Sequence, residues 1–375
     1  MARRSRSLII DADSHVEEAE ECWAYLEPEF RHRRPVVLER KDVRPGKGPY
    51  VQDAFWLIDG HTFPRPYGHG ALMFGTPVTS SFAKGKKFSR ASQTLVPPAA
   101  RVKDMDRLGI DIQILYPTIF LDTLALDIRF EAALMRSYNT WLAKTCAQFP
   151  NRLKWAAAIP VRSAAEGAAE IKRTKKLGAV AALIYGTAGE RMLHEPECDE
   201  MWAAAQKADM AIAIHTGWNM QSLLNKMDSF YCSTALGVMP SMMGLFSMLG
   251  GGILGRFPKL RVGFFEAGAD WLPYMINRME RLWEVYSRNK WPGLTKHRPS
   301  DWLRGGNVYF CCEGDERFLP VVAELLGDDH IITSADLPHD EALDEAIKKI
   351  HERPDLSDRL KSKILNANPA RFYGL

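Results

Sequence analysis

The sequence predicts an α/β protein, a distorted (β/α)8 TIM barrel with a cap inserted after its first strand. From about Arg101 onward, short runs rich in Val, Ile and Leu alternate with longer amphipathic stretches, as parallel strands and their crossover helices do. With the apolar run near the N-terminus, eight strand candidates result. Several of them close on a polar side chain. Eight β/α units favour a closed barrel over an open doubly wound sheet, and polar strand ends favour a site at one rim.

The first candidate is SLIIDADSH, behind the basic tip MARRSRS. Its apolar run is too short for an export signal and meets acid at once, so the chain reads as cytoplasmic. Residues 33–98 break the alternation with Gly, Pro and charge, apart from a hairpin expected in FWLIDGHTFP, where Asp59 and Gly60 supply the turn. Loops that follow barrel strands emerge at the catalytic face, so this insertion is expected to cap the mouth. Phe55, Trp56, Phe63, Tyr67 and Phe74 make it too aromatic for a disordered linker. The remaining strands are IDIQILYP, LKWAAAIP, AVAALIYG, AIAIHTG, LRVGFFEAG, NVYFCCEG and HIITSAD. Between them lie helix-like stretches such as RFEAALMRSYNTWLAKTCAQF, SAAEGAAEIKRTKKLG, PECDEMWAAAQKAD, DWLPYMINRMERLWEVYSR and ERFLPVVAELLG. Gly178 and Gly327 stand where a helix C-terminus needs positive φ. Residues 1–375 read as a single domain.

Composition narrows the function. A net charge of +3, from Lys+Arg 49 against Asp+Glu 46, gives no pull toward nucleic acid or membrane, which leaves small-molecule chemistry. No apolar run spans a bilayer; the closest, GVMPSMMGLFSMLGGGILG, is broken by Pro240 and glycines and reads as a packed helix. Six scattered cysteines without a C-x-x-C pair read as reduced, buried thiols.

The strand ends carry the chemistry. Asp13 and His15 close the first strand, His215 the fifth, Glu266 the sixth, Glu313 the seventh and Asp336 the eighth, and in a barrel these ends meet at one rim. Strand parity puts Asp11, Asp13 and His15 on one side. Asp13, His15, His215 and Asp336 then offer two imidazoles and two carboxylates, a set suited to zinc first, or to manganese or iron. The fourth strand has no lysine to bridge two metals, so a single ion is expected. Taken singly each residue has a blander reading: a capped strand end, a satisfied core histidine, an Asp336 capping the next helix. Their recurrence at separate strand ends favours the metal. Glu266 and Asp336 are the candidates for proton transfer, and Trp218, Arg65, Arg90, His69 and His339 for contacts to a planar, carboxylated substrate.

IIDADSHVEE, HTGWN, GRFPKLRVGFFEAGADWLPYMINRMER, ITSADLPHDE and the closing KILNANPARFYGL together resemble the amidohydrolase superfamily, over nearly the whole chain. The branch resembled includes aminocarboxymuconate semialdehyde decarboxylase and the γ-resorcylate and 5-carboxyvanillate decarboxylases. The resemblance implies one divalent metal at the barrel rim, held by Asp13, His15, His215 and Asp336, and a homodimer. It implies a decarboxylase or hydrolase of carboxylated aromatics or ring-cleavage products. It departs at the sixth strand, where the decarboxylases' histidine falls on Ala267, preceded by Glu266, with Asp270 near the position of a second acid. Ala267 motivates the alternative, a non-catalytic small-molecule-binding protein on the same barrel.

Overall fold

A computed structural model describes residues 7–40, 53–64, 75–217, 219–220, 222, 236–289, 297–339 and 345–375. Its main sheet holds eight parallel strands in chain order: β1 (Ile10–Val16), β2 (Ile112–Pro117), β3 (Leu153–Ala158), β4 (Ala181–Ile184), β5 (Ala211–His215), β6 (Val262–Phe265), β7 (Val308–Cys312) and β8 (Ile331–Thr333). Seven fall within the apolar runs read from sequence, and β1 overruns its run by Val16 alone. Between β8 and β1 no ladder forms among the described residues; the seam is closed by His15 N to Leu337 O at 2.5 Å and Asp336 N to Asp13 O at 3.0 Å.

The lumen is lined by small side chains, Ala12, Ala156, Ala181, Ala211 and Ala213, and filled by the rings of Tyr116, Phe265, Tyr309, Phe372 and Tyr373. The last two come from the C-terminal helix Asn368–Tyr373. Gly263 makes room for Phe372, since a Cβ there would lie 2.8 Å from its ring. Burying an aromatic ring of this size is worth about 1.5–3 kcal/mol.

β1 departs from the expected parity. Its pairing with β2 slips between Asp11 and Ser14, a bulge that inserts one extra residue. Ala12 joins the lumen, whereas Asp11 turns away from it to accept from Ser14 Oγ at 2.7 Å, Gln113 Nε2 at 2.8 Å and Ala335 N at 2.8 Å. Asp11, Asp13 and His15 therefore do not share a face, and the bulge reverses Asp11 alone.

The crossover helices start on side-chain caps. Asp127 accepts from Arg129 N at the head of α1 (Ile128–Cys146), and Ser163 from Glu166 N at the head of α2 (Ala164–Lys176). Buried Asn139 on α1 grips the end of β3, donating to Ala158 O and accepting from Ala158 N, both at 2.9 Å. Gly178 and Gly327 take φ of 96° and 81° at helix ends. The run near Pro240 is a packed helix, α3 (Val238–Leu249). No helix among the described residues is long and apolar enough to cross a membrane. Cys22, Cys146, Cys198, Cys311 and Cys312 are free and buried, and Cys232 lies outside the described residues.

In the insertion, Val36–Glu39, Ala54–Ile58 and His61–Phe63 form a three-stranded antiparallel sheet, turned at Asp59 and Gly60 with φ of 51° and 81°. Trp56 packs edge-on to Trp23 with centroids 6.1 Å apart, and Glu17 N donates to Gln93 O at 2.9 Å. These contacts tie the inserted segment to the chain just after β1. Tyr67 and Phe74 lie outside the described residues.

Candidate active site

Parallel strands of a barrel end on one rim, so side chains far apart in sequence converge there. β1 delivers Asp13 and His15, β5 delivers His215, and tight turns just past β6 and β8 deliver Glu266 and Asp336. Those two acids sit at φ of 50° and 48°, left-handed backbone that non-glycine residues take at a cost and that clusters at functional sites. His15 Nε2 lies 3.4 Å from Asp13 Oδ1, 3.3 Å from Glu266 Oε2 and 3.4 Å from Asp336 Oδ1. His215 Nε2 lies 3.1 Å from Asp13 Oδ2 and 3.4 Å from Glu266 Oε2. His339 joins the group, with Nδ1 3.1 Å from Asp336 Oδ1 and its ring stacked on His15 at 4.0 Å.

Hydrogen bonds aim the two strand-end imidazoles. His15 Nδ1 lies 2.8 Å from Pro117 O and His215 Nδ1 2.8 Å from Thr216 O. A ring that donates from Nδ1 to a carbonyl presents the lone pair of Nε2, as a metal ligand requires. Asp13 Oδ1, His15 Nε2, Glu266 Oε2 and Asp336 Oδ1 are buried and accept or donate no hydrogen bond, and His15 Nε2 lies within 3.4 Å of the other three. Buried polar atoms left unpaired cost about 1–3 kcal/mol each, a cost that a divalent cation beside His15 and Glu266 would relieve. Asp13, His15, His215 and Glu266 offer donor atoms within 4.8 Å of one another, as do His15, Glu266, Asp336 and His339. The donor set, imidazole nitrogen with carboxylate oxygen, fits zinc, manganese or iron.

Charge in the cluster follows from burial and neighbours. Burial, aided by His339, drives His15 down to about 3, and burial drives His339 to about 3, so both rings are neutral. Burial alone would also depress His215, but the Asp13 and Glu266 carboxylates overcome it and raise the ring to about 9. Burial lifts Glu266 to about 7 against the opposing pull of His215, and lifts Asp336 well above the carboxylate range. Ligands bind metal deprotonated, so a metal must displace protons from this group. The apparent affinity for Mn2+ is therefore expected to rise by about tenfold or more per pH unit from neutrality up to about 9, read by competition titration. An affinity flat with pH would mean that His215 keeps its proton when metal binds.

Other residues fall elsewhere. Glu313 is exposed rather than part of the ring of acceptors. Asp270 stays outside the cluster, accepting from Arg317 N at 3.2 Å and Phe318 N at 2.9 Å. Arg90 is exposed and lines an acidic cavity of about 510 Å³ with Glu18, Glu20, Glu21 and Glu39. Arg65, His69 and Trp218 lie outside the described residues. Sequence reasoning missed Lys86, from the inserted segment, whose ammonium is 2.5 Å from Glu17 Oε1 with only 5% of its side chain exposed. It pairs with the residue that directly follows β1, at the strand end that carries Asp13 and His15. In sequence it is one of several lysines in AKGKKFSR, and only the fold distinguishes it.

A (β/α)8 barrel that gathers buried imidazoles and carboxylates at its C-terminal rim has the architecture of a metal-dependent barrel enzyme. The amidohydrolase family model matches residues 58–375, and the chain belongs to that family. It is 24% identical over 340 residues to the 2-amino-3-carboxymuconate-6-semialdehyde decarboxylase of Dictyostelium discoideum, covering 85% of this chain and 91% of that one. It is 26% identical over 299 residues to a γ-resorcylate decarboxylase of Rhizobium sp., covering 73% of this chain and 86% of that one. Among solved structures, an amidohydrolase of Mycobacterium avium subsp. paratuberculosis superposes with a TM-score of 0.77 at 19% identity, covering 99% and 98% of the two chains. The 5-carboxyvanillate decarboxylase of Novosphingobium aromaticivorans, complexed with manganese and 4-hydroxy-3-methoxy-5-nitrobenzoic acid, superposes with a TM-score of 0.63 at 22% identity, covering 73% and 79%. These likenesses agree with the barrel.

Proposed function

We propose that the protein is a metal-dependent decarboxylase of carboxylated aromatic or ring-cleavage-type acids. The observation that carries this reading is the convergence of Nε2 of His15 and His215 with unpaired oxygens of Asp13, Glu266 and Asp336. Asp13, His15, His215 and Asp336 would hold one divalent ion, manganese or zinc, which when bound supplies positive charge to substrate oxygens. His339, its Nε2 2.8 Å from Thr118 Oγ1, is placed to contact substrate beside the ion.

Glu266 is the proton group. Its side chain is 26% exposed, so it exchanges protons with solvent, and raised to about 7 it holds a proton near neutrality. It delivers that proton to the carbon bearing the carboxylate. The electron pair of the breaking C–C bond stays with that carbon, and CO2 leaves. Asp336 Oδ1, 3.1 Å from His339 Nδ1, orients that ring. Lys86, nearly dry, keeps its charge on Glu17 just past β1. The relatives named as decarboxylases support the same reaction class. The solvent-facing Tyr274, Val285 and Tyr286 on α4 (Leu272–Arg288) support a homodimer.

The test is CO2 release from a panel of hydroxybenzoates and carboxymuconate-type acids by the metal-loaded protein. Lys86→Met is expected to lower stability by about 3–5 kcal/mol, the cost of leaving buried Glu17 without its cation, read by denaturant melting. Ester or amide cleavage without CO2 would replace the decarboxylase reading with a hydrolase. Tight binding of the acids with no turnover would leave a binding protein.

A further inference from the structure

KILNANPARFYGL supplies no residue to the mouth, yet it grips the strands that do. β1 carries Asp13 and His15, and β8 leads into Asp336 and His339, with no ladder joining these two strands among the described residues. From beneath the barrel, Asn366 Nδ2 donates to Leu8 O at 2.7 Å, ahead of β1. Buried Asn368 donates to Asp328 O at 2.8 Å and to Ile331 O, the first residue of β8, at 2.7 Å. Tyr373, also buried, donates its hydroxyl to Ala12 O at 2.5 Å and shares a 2.7 Å hydrogen bond with the Tyr116 hydroxyl of β2.

Ala12 and Asp13 lie where β1 leaves register with β2, between Asp11 and Ser14. A bulge leaves backbone groups outside the ladder, and a buried carbonyl without a partner is costly. The Tyr373 hydroxyl satisfies this one, one residue before Asp13. Asp13 is covalently joined to this carbonyl inside the bulge, so the hydrogen bond that fixes Ala12 also fixes the backbone from which the Asp13 carboxylate reaches His215.

We propose that the C-terminal motif is a positioning clamp for the metal-binding strands. Tyr373 holds the bulged Ala12 carbonyl and thereby keeps Asp13 against His215, and Asn368 fixes the start of β8. The inference rests on the reading of the mouth as a metal site, while the clamp itself is a statement about the protein's own geometry.

Tyr373→Phe removes one hydroxyl and keeps the ring. The variant is expected to bind Mn2+ roughly 10- to 100-fold more weakly than wild type, the usual cost of losing a group that orients a ligand, with an altered EPR spectrum of the bound ion. In its crystal structure the Asp13 carboxylate is expected to leave the 3.1 Å contact with His215 Nε2. Phe372→Leu, which thins the packing and keeps the hydrogen bonds, is expected to lower Tm without weakening Mn2+ binding. Tyr373→Phe with wild-type Mn2+ affinity and Asp13 in place overturns the clamp. If wild type itself binds neither Mn2+ nor Zn2+, the metal reading fails, and the position of Asp13 in Tyr373→Phe alone decides the clamp.

Discussion

His215→Ala is expected to take bound metal from about one equivalent per chain to less than about a tenth, and to abolish turnover with it, because a catalytic site with three or four protein ligands rarely survives the loss of one. His215 is fully buried, its Nδ1 is committed to Thr216 O, and its Nε2 faces Asp13 and Glu266. Alanine would leave both carboxylates without the group that now offsets their charge. Asp336→Ala is expected to behave likewise. Elemental analysis of protein purified without chelator or affinity tag provides the readout, alongside turnover on the same samples. Full occupancy in either variant removes that residue from the ligand set. Loss of turnover with metal retained would give it a different duty in the mouth.

How much of this was legible from residues alone differs by feature. The strands were legible because a parallel strand buried on both faces must be a nearly continuous apolar run, and such a run needs no partner to be recognised. The polar ends of β1, β5, β6 and β8 were legible for the same reason: an acid or imidazole closing an apolar run stands out. Asp11 was misread because parity assumes an unbroken ladder, and a bulge is set by the neighbouring strand and by a tyrosine 361 residues away. Glu313 was misplaced for a related reason, since strand-end position fixes height on the rim but not direction. Lys86 was invisible because its burial is created by Glu17 across the inserted segment, and no local pattern distinguishes it from Lys84 or Lys87. His339 was taken as a substrate contact, and its stacking on His15 brings it into the cluster itself.

Glu266→Gln is expected to lower kcat by about 10²- to 10⁴-fold, the worth of a positioned proton donor, while metal stays bound and KM changes little. Gln matches the size of Glu and retains an oxygen to face His15 and His215, but it has no acidic proton. The left-handed backbone at φ 50° costs the fold about 1–3 kcal/mol, and Gln bears the same strain, so stability should barely differ between the two proteins. The pH profile identifies the direction of proton transfer. Burial, opposed by His215, holds Glu266 at about 7. A group that gives a proton must be protonated, so decarboxylation by the metal-loaded wild type is expected to fall as pH rises through the Glu266 titration, which a bound cation holds below its metal-free position, and the residual rate of Glu266→Gln to show no such fall. A wild-type rate that climbs through the same range would make Glu266 a base, the duty hydrolysis requires of it. Metal lost from Glu266→Gln would instead count Glu266 among the ligands, with Ala267 beside it leaving no imidazole on that turn to take over the proton.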